Sequence, residues 1–265
     1  MSESTSEFDQ DTQVVSLGEG TFSAVVTDRW NTFVRPDGGY VMAIAVRALG
    51  MSLPHPHPFT VTGHFLRPTD PGSVEIKTDV ARAGRRHSTG SARVIQGGKE
   101  VLRVLGTFGD LSKGEGRSAV GEPPPNIPPP DACQDPWAHV PDGVKVSIGD
   151  RTEARTPQVP GWLKGAPTGR PFFEFHQILS DGRPQDALSL IFMADAAPPT
   201  VVELGELASV TVDLTVMVRA LPAKGWLTMR KQGKNLVDGY FEEDVTMWDS
   251  TGSVVATSRQ LALIV

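Results

Sequence analysis

Apolar and polar positions change period along the chain in an order that occurs twice. A strand-like run from Thr21 to Trp30 leads through Asp37-Gly38-Gly39 into Tyr40–Ala48, an apolar stretch rich in helix formers. Four segments of strand character follow, Phe59–Arg67, Val74–Arg82, Ser88–Ile95 and Glu100–Phe108, divided by Pro-Gly, Gly-Arg-Arg and Gly-Gly signals that suit turns and hairpins. Further on, Phe172–Leu179 precedes Asp181-Gly182-Arg183-Pro184 and Asp186, a good helix cap, which opens the helix-like Ala187–Ala197. Pro198-Pro199 stops that helix, and Ser209–Arg219, Trp226–Gln232, Gly239–Trp248 and Val254–Leu263 supply four more strands.

The two runs can be laid together, with Arg67 meeting Arg219, Gly72 meeting Gly225 after a one-residue shift, and Gly98 meeting Gly252 in matching hairpins. Each half then reads as a strand, a central helix and four antiparallel strands, a sheet that wraps its own helix and needs a partner sheet beside it. Between the halves, 11 of the 22 prolines fall from Pro123 to Pro167. So long an aperiodic segment suits a stiff strap between two similar units rather than a loop within one. The expected division is residues 1–112, a connector over 113–168, and residues 169–265, with the two units forming a pseudo-two-fold pair and a cleft between them.

Composition narrows the function. With 39% hydrophobic residues, 21% charged and a net charge of −6, the chain can build a core and is no disordered coil. The acidic balance argues against broad nucleic-acid contact. The single cysteine, Cys133, excludes an internal disulfide framework and every multi-cysteine metal motif and fits a reducing cytoplasm. No stretch approaches a membrane span, and the acidic start is unlike a secretory signal. His55 and His57 sit between prolines with no acidic or cysteine cluster nearby, so no metal site is expected.

The arrangement resembles the double-hotdog acyl-CoA thioesterases of the acyl-CoA thioesterase II family over nearly the whole chain. The likeness rests on Gly38-Gly39-Tyr40-Val41, His64-Phe65-Leu66-Arg67-Pro68, Gly84-Arg85-Arg86 and Gly97-Gly98 in the first half. In the second it rests on Asp186-Ala187-Leu188 through Ala194-Asp195-Ala196, Ser209-Val210-Thr211-Val212-Asp213 and Ala256-Thr257-Ser258-Arg259-Gln260. The resemblance implies an α+β double hotdog, two tandem antiparallel sheets each wrapped around a helix, that hydrolyses fatty acyl-CoA without a cofactor and pairs into a homodimer in the cytoplasm. It also implies a catalytic set of Asp195, Thr211 and Gln260, which together position the attacking water. Only the second half could carry this set, since residues 38–52 hold no carboxylate and Gly106 stands where Gln260 would be matched.

Each residue also has a plainer reading. Asp195 follows an apolar helix at its negative end, where both burial and the helix dipole raise a carboxyl's pKa, as a general base wants; the alternative is a solvated helix-end aspartate. Thr211 is an ordinary strand residue, and strict alternation places it opposite the face of Val210, Val212 and Leu214, away from Asp195, unless a bulge or the seam redirects it. Gln260 on a last strand is commonly solvated, although its amide can orient a water or hold a carbonyl oxygen. Gly38 and Gly39 either make a tight turn or offer N–H donors to an oxyanion or phosphate, and His64 either lines the cleft or packs at an interface. Two other functions stay open: a non-catalytic acyl-CoA or lipid-binding module, and an acyl-thioester hydratase or dehydratase, which wants a histidine that neither helix supplies.

Overall fold

Among the described residues three α-helices and twelve strands follow one another, joined in places by single 3-10 turns: α1 (Glu7–Asp11), β1 (Val15–Gly18), β2 (Thr21–Val26), α2 (Gly38–Ser52), β3 (His57–Phe65), β4 (Gly72–Ala83), β5 (Ser88–Gln96), β6 (Lys99–Gly109), β7 (Thr152–Arg155), β8 (Phe172–Leu179), α3 (Ser189–Met193), β9 (Ser209–Val218), β10 (Leu227–Val237), β11 (Tyr240–Trp248) and β12 (Val254–Ile264). The structure, a computed structural model, describes residues 6–33, 35–114, 116–119, 121–141, 143–144 and 146–265. All twelve strands join in one sheet. Read from either edge inward its order is the same step for step, β1-β2-β4-β5-β6-β3 from one side and β7-β8-β10-β11-β12-β9 from the other, meeting at β3 and β9. At the antiparallel join the hydroxyls of Thr62 and Thr215 lie 2.9 Å apart.

The eight strands expected after the two helices appear within a few residues of their sequence bounds, because alternation and hairpin glycines mark them locally. The first helix is longer than expected. Asp37 caps it by accepting from the Tyr40 N–H at 2.9 Å, so Gly38 and Gly39 form its first turn. Its last turns lay Leu49 and Leu53 against the first half's strands, where a side chain at Gly90 or Gly106 would press within 3.0 or 3.1 Å of a Leu49 methyl.

The second helix departs from expectation. The helix-like Ala187–Ala197 contracts to the five residues of α3, and Asp195 lies in the turn after it rather than in its last turn. Asp186 does cap this segment, accepting from the Leu188 and Ser189 N–H groups at 3.1 and 2.8 Å. Pro198, however, disfavours helical backbone at Ala197, and nothing beyond it can continue the helix. The connector also carries β7, an edge strand the sequence did not reveal, paired to β8 and closed off by Pro157. The strap is pinned by Glu203, which accepts from the Trp162 and Thr168 N–H groups at 3.3 and 2.7 Å, and by His176, whose Nε2 sits 2.9 Å from the Pro128 carbonyl.

The two halves are locked from the N-terminus. Phe8 of α1 packs on Trp30 and on Phe192 of α3, with ring centroids 5.7 and 5.6 Å apart. Asp9 pairs with Arg47 of α2 and with Arg183 ahead of α3, at 2.9 and 2.8 Å. Burial opposes ionisation of Asp9, yet hydrogen bonds from Arg183, Ser6 and Arg47 win and hold it at about 2 against an ordinary 3.8. A carboxyl so lowered stabilises the fold above its unfolded value, and that contribution disappears as pH falls from about 3.8 through about 2. Urea unfolding across this window should show stability falling with acid, and Asp9→Asn should be less stable above it and flatter within it.

Candidate functional site

Where the halves meet, the turn after α3 lays Asp195 across the N-terminus of α2. Asp195 Oδ2 accepts the Gly39 N–H at 2.9 Å. The approach is close enough to require glycine at two successive positions of α2: a Cβ at Gly38 would stand 2.8 Å from Asp195 Oδ2, and one at Gly39 2.8 Å from Asp195 Cβ and from the Phe192 carbonyl oxygen. A helix N-terminus suits a carboxylate, since its unpaired N–H groups and dipole both favour negative charge. Desolvation nonetheless raises the pKa of Asp195, opposed by the Lys231 ammonium and the Gly39 N–H and reinforced by Glu243.

Gln260 lies buried on the inner face of β12, directly across from Glu243 of β11 and Leu214 of β9. Thr211 reaches the same face by an irregularity in β9. The register passes from Asp213 opposite Leu261 to Thr211 opposite Ala262, so Val212 is an extra residue and alternation reverses there. Thr211 therefore shares a face with buried Ala262 and Gln260, while Val210 is exposed. Among the described residues no hydrogen bond joins Asp195, Thr211 and Gln260 to one another.

His64 turns the other way. It is exposed and pairs in register with Arg103 and Asp213, between buried Gly63 and half-buried Phe65. The neighbouring Phe65 is the residue that reaches the site, with its ring 3.0 Å from where a Gly38 Cβ would stand. The expectation that His64 lines the cleft therefore misplaced it by one step of the strand. The N–H of Gly39 is spent on Asp195 rather than offered to a ligand.

Two functional candidates went unnoticed in the sequence. Lys231 of β10 and Glu243 of β11 form a buried ion pair at 2.9 Å, with side chains 2% and 1% exposed. Lys231 also donates to the Ala197 carbonyl at 2.8 Å, and Glu243 accepts from the Thr200 N–H, so both grip the segment that follows Asp195. Parity along the strands was the available signal: Lys231 falls in step with Leu227 and Met229, and Glu243 with Phe241, Val245 and Met247, all of them buried. By strand order and register, Gly90 and Gly106 of the first half stand where Glu243 and Gln260 stand in the second. The long α2 fills that space with Leu49, whereas the short α3 leaves it to polar side chains. Nearby Ser258 Oγ, Thr200 Oγ1 and Gln177 Oε1 are buried without a protein hydrogen-bond partner.

Beside this cluster runs a narrow apolar slot of about 40 Å³ between the strap residues Trp137 and Trp162 and the inner side of β8 at Phe173 and Phe175. Ala197 and Pro198, two and three residues after Asp195, close one end of it. Among the described residues there is no cluster of metal-ligating side chains and no helix long and apolar enough to cross a membrane.

A sheet wrapped on a buried helix is the arrangement of a hotdog-fold protein. A hotdog-fold protein of unknown function from Alicyclobacillus acidocaldarius superposes with a TM-score of 0.88 at 22% identity, covering 99% of both chains. Family models match residues 26–109 as an acyl-CoA thioesterase N-terminal domain and residues 127–264 as an acyl-CoA thioesterase C-terminal domain. The chain belongs to the acyl-CoA thioesterase II family. A Thermobifida fusca protein described as a candidate thioesterase II is 30% identical, with a TM-score of 0.88 over 98% of this chain and 97% of that one. An uncharacterized Mycobacterium tuberculosis protein is 25% identical over 92% of this chain and 90% of its own length.

The contact between Gly39 and Asp195 leaves no room for a methyl group. In Gly39→Ala the new Cβ would press on a backbone carbonyl that cannot swing aside, so a loss of about 1–3 kcal/mol in urea unfolding is expected.

Proposed function

We propose that this protein hydrolyses fatty acyl-CoA thioesters to the free acid and coenzyme A at a single site per chain in its second half. The observation that carries the reading is the asymmetry between the halves: an aspartate held by a helix N-terminus faces inward-turned polar strands only where the helix is short. Asp195 Oδ2 accepts from Gly39, which holds the carboxylate at the helix end where it can take a proton from water. The raised pKa of this carboxyl makes it a stronger base than an exposed one. Thr211 and Gln260, on one face, are suited to orient the water and to donate to the oxygen that becomes negative. Unpartnered hydroxyls at Ser258 and Thr200 suit a hydrated chamber.

The reaction then needs no covalent intermediate. Water gives a proton to Asp195 and attacks the thioester carbonyl, and the tetrahedral adduct expels the coenzyme A thiolate. The acyl chain extends into the slot between Trp137, Trp162 and Phe173. In this reading residues 1–112 and 169–265 are two hotdog units, residues 113–168 are the strap that walls the slot, and two chains pair as a homodimer engaged in fatty acid metabolism.

Thiol release from a panel of acyl-CoA esters tests the assignment. Asp195→Asn should lower turnover by about 10²–10⁴-fold with the fold retained, the range typical for loss of a general base. Equal turnover in parent and variant would remove Asp195 from the mechanism, and no turnover in either would favour a binding module. Ala154→Phe, which fills the slot from β7, should leave the shortest substrate unaffected. For longer chains it should reduce kcat/KM by roughly fourfold per methylene displaced, from about 0.8 kcal/mol each.

A further inference from the structure

A second carboxyl stands at the same helix end. Asp37, 3% exposed, caps α2 through Oδ1, which lies 3.1 Å from the position of a Gly39 Cβ, while Asp195 Cβ lies 2.8 Å from that same point. The two side chains thus close over one glycine from opposite halves of the chain, within about 6 Å of each other as these two distances require. We propose that Asp37 and Asp195 form a carboxyl pair across the seam that carries a single proton at neutral pH, held by Asp37, and that Asp37 thereby acts as a positioning residue keeping Asp195 the one ionised base of the site.

The charges around the pair support this. From β10 comes Lys231, the cation of the cluster, and it is already matched by Glu243 of β11 at 2.9 Å. From β3 the Phe65 ring packs here, and α2 itself contributes the N–H groups of Gly38, Gly39 and Tyr40. Two further carboxylates therefore share one helix N-terminus, whose dipole amounts to roughly half a charge. Like charges this near and this sheltered do not both ionise. Asp37 is the member held further above the ordinary carboxyl range, first by its burial and then by Asp195, while the Lys231 ammonium opposes the rise in both. A neutral Asp37 still caps, because its Oδ1 remains an acceptor for Tyr40.

This inference rests on the hydrolytic reading only for its consequence in catalysis, and its test uses the ligand-free protein. Infrared difference spectroscopy at neutral pH should detect one protonated carboxyl in the parent protein, and that band should vanish in Asp37→Asn, which preserves the cap. In Asp195→Asn the proton on Asp37 should be lost at lower pH than in the parent, since removing the neighbouring charge eases ionisation; a residue that merely caps the helix would not respond. Carbon-13 titration of the aspartate carboxyls in the parent gives the same answer without any variant, one of them staying protonated at neutral pH. Absence of a protonated carboxyl in the parent, or a band unchanged in Asp37→Asn, overturns the pair. Failure of thiol release would overturn the hydrolytic reading and leave this measurement intact.

Discussion

A carboxylate from one half of the chain lying on the helix N-terminus of the other is the contact on which the rest of the site depends. It ties the turn after α3 to α2, fixes one oxygen of Asp195, and demands glycine at two successive positions. The sheet alone would join the halves at β3 and β9 without defining what lies between them. The Asp195 contact sets the spacing of that gap, and Trp30, Phe8 and Phe192 fill the remainder with packed rings.

The halves share an order of strands and differ in what their helices cover. In the first, a 15-residue helix buries Leu49 against Gly90 and Gly106. In the second, five residues of helix leave part of the sheet's inner face uncovered, and Lys231, Glu243 and Gln260 occupy it. Burying an ammonium and a carboxylate together is seldom stabilising against an apolar alternative, because desolvation offsets their attraction. Their presence where the first half has ordinary packing therefore points to the chemistry of the cleft.

Much of the sheet was legible in the sequence because strand alternation and hairpin glycines are local signals. That Asp195 follows an apolar helix and that Gln260 lies on the last strand was legible from the local pattern. The extent of α3 was not, because Ala187–Ala197 is made of good helix formers and only the prolines around it, together with packing against α2, decide where it stops. Lys231 and Glu243 were overlooked for a different reason: β10 reads Arg230-Lys231-Gln232, and which of these points inward depends on counting from Met229 rather than on residue type. His64 and Phe65 show the same dependence, one step along β3 separating a solvated residue from one at the site.

The extra residue at Val212 gives this dependence a sharper form. A substitution alters what a strand position carries, but an insertion alters its parity, exchanging inside for outside for every residue up to the strand's end. Thr211 lies on the inner face by virtue of length rather than identity. Relatives with threonine at the matching position but without the additional residue would present it to the opposite face, so the comparison that matters at this point in β9 is of backbone count before side chain.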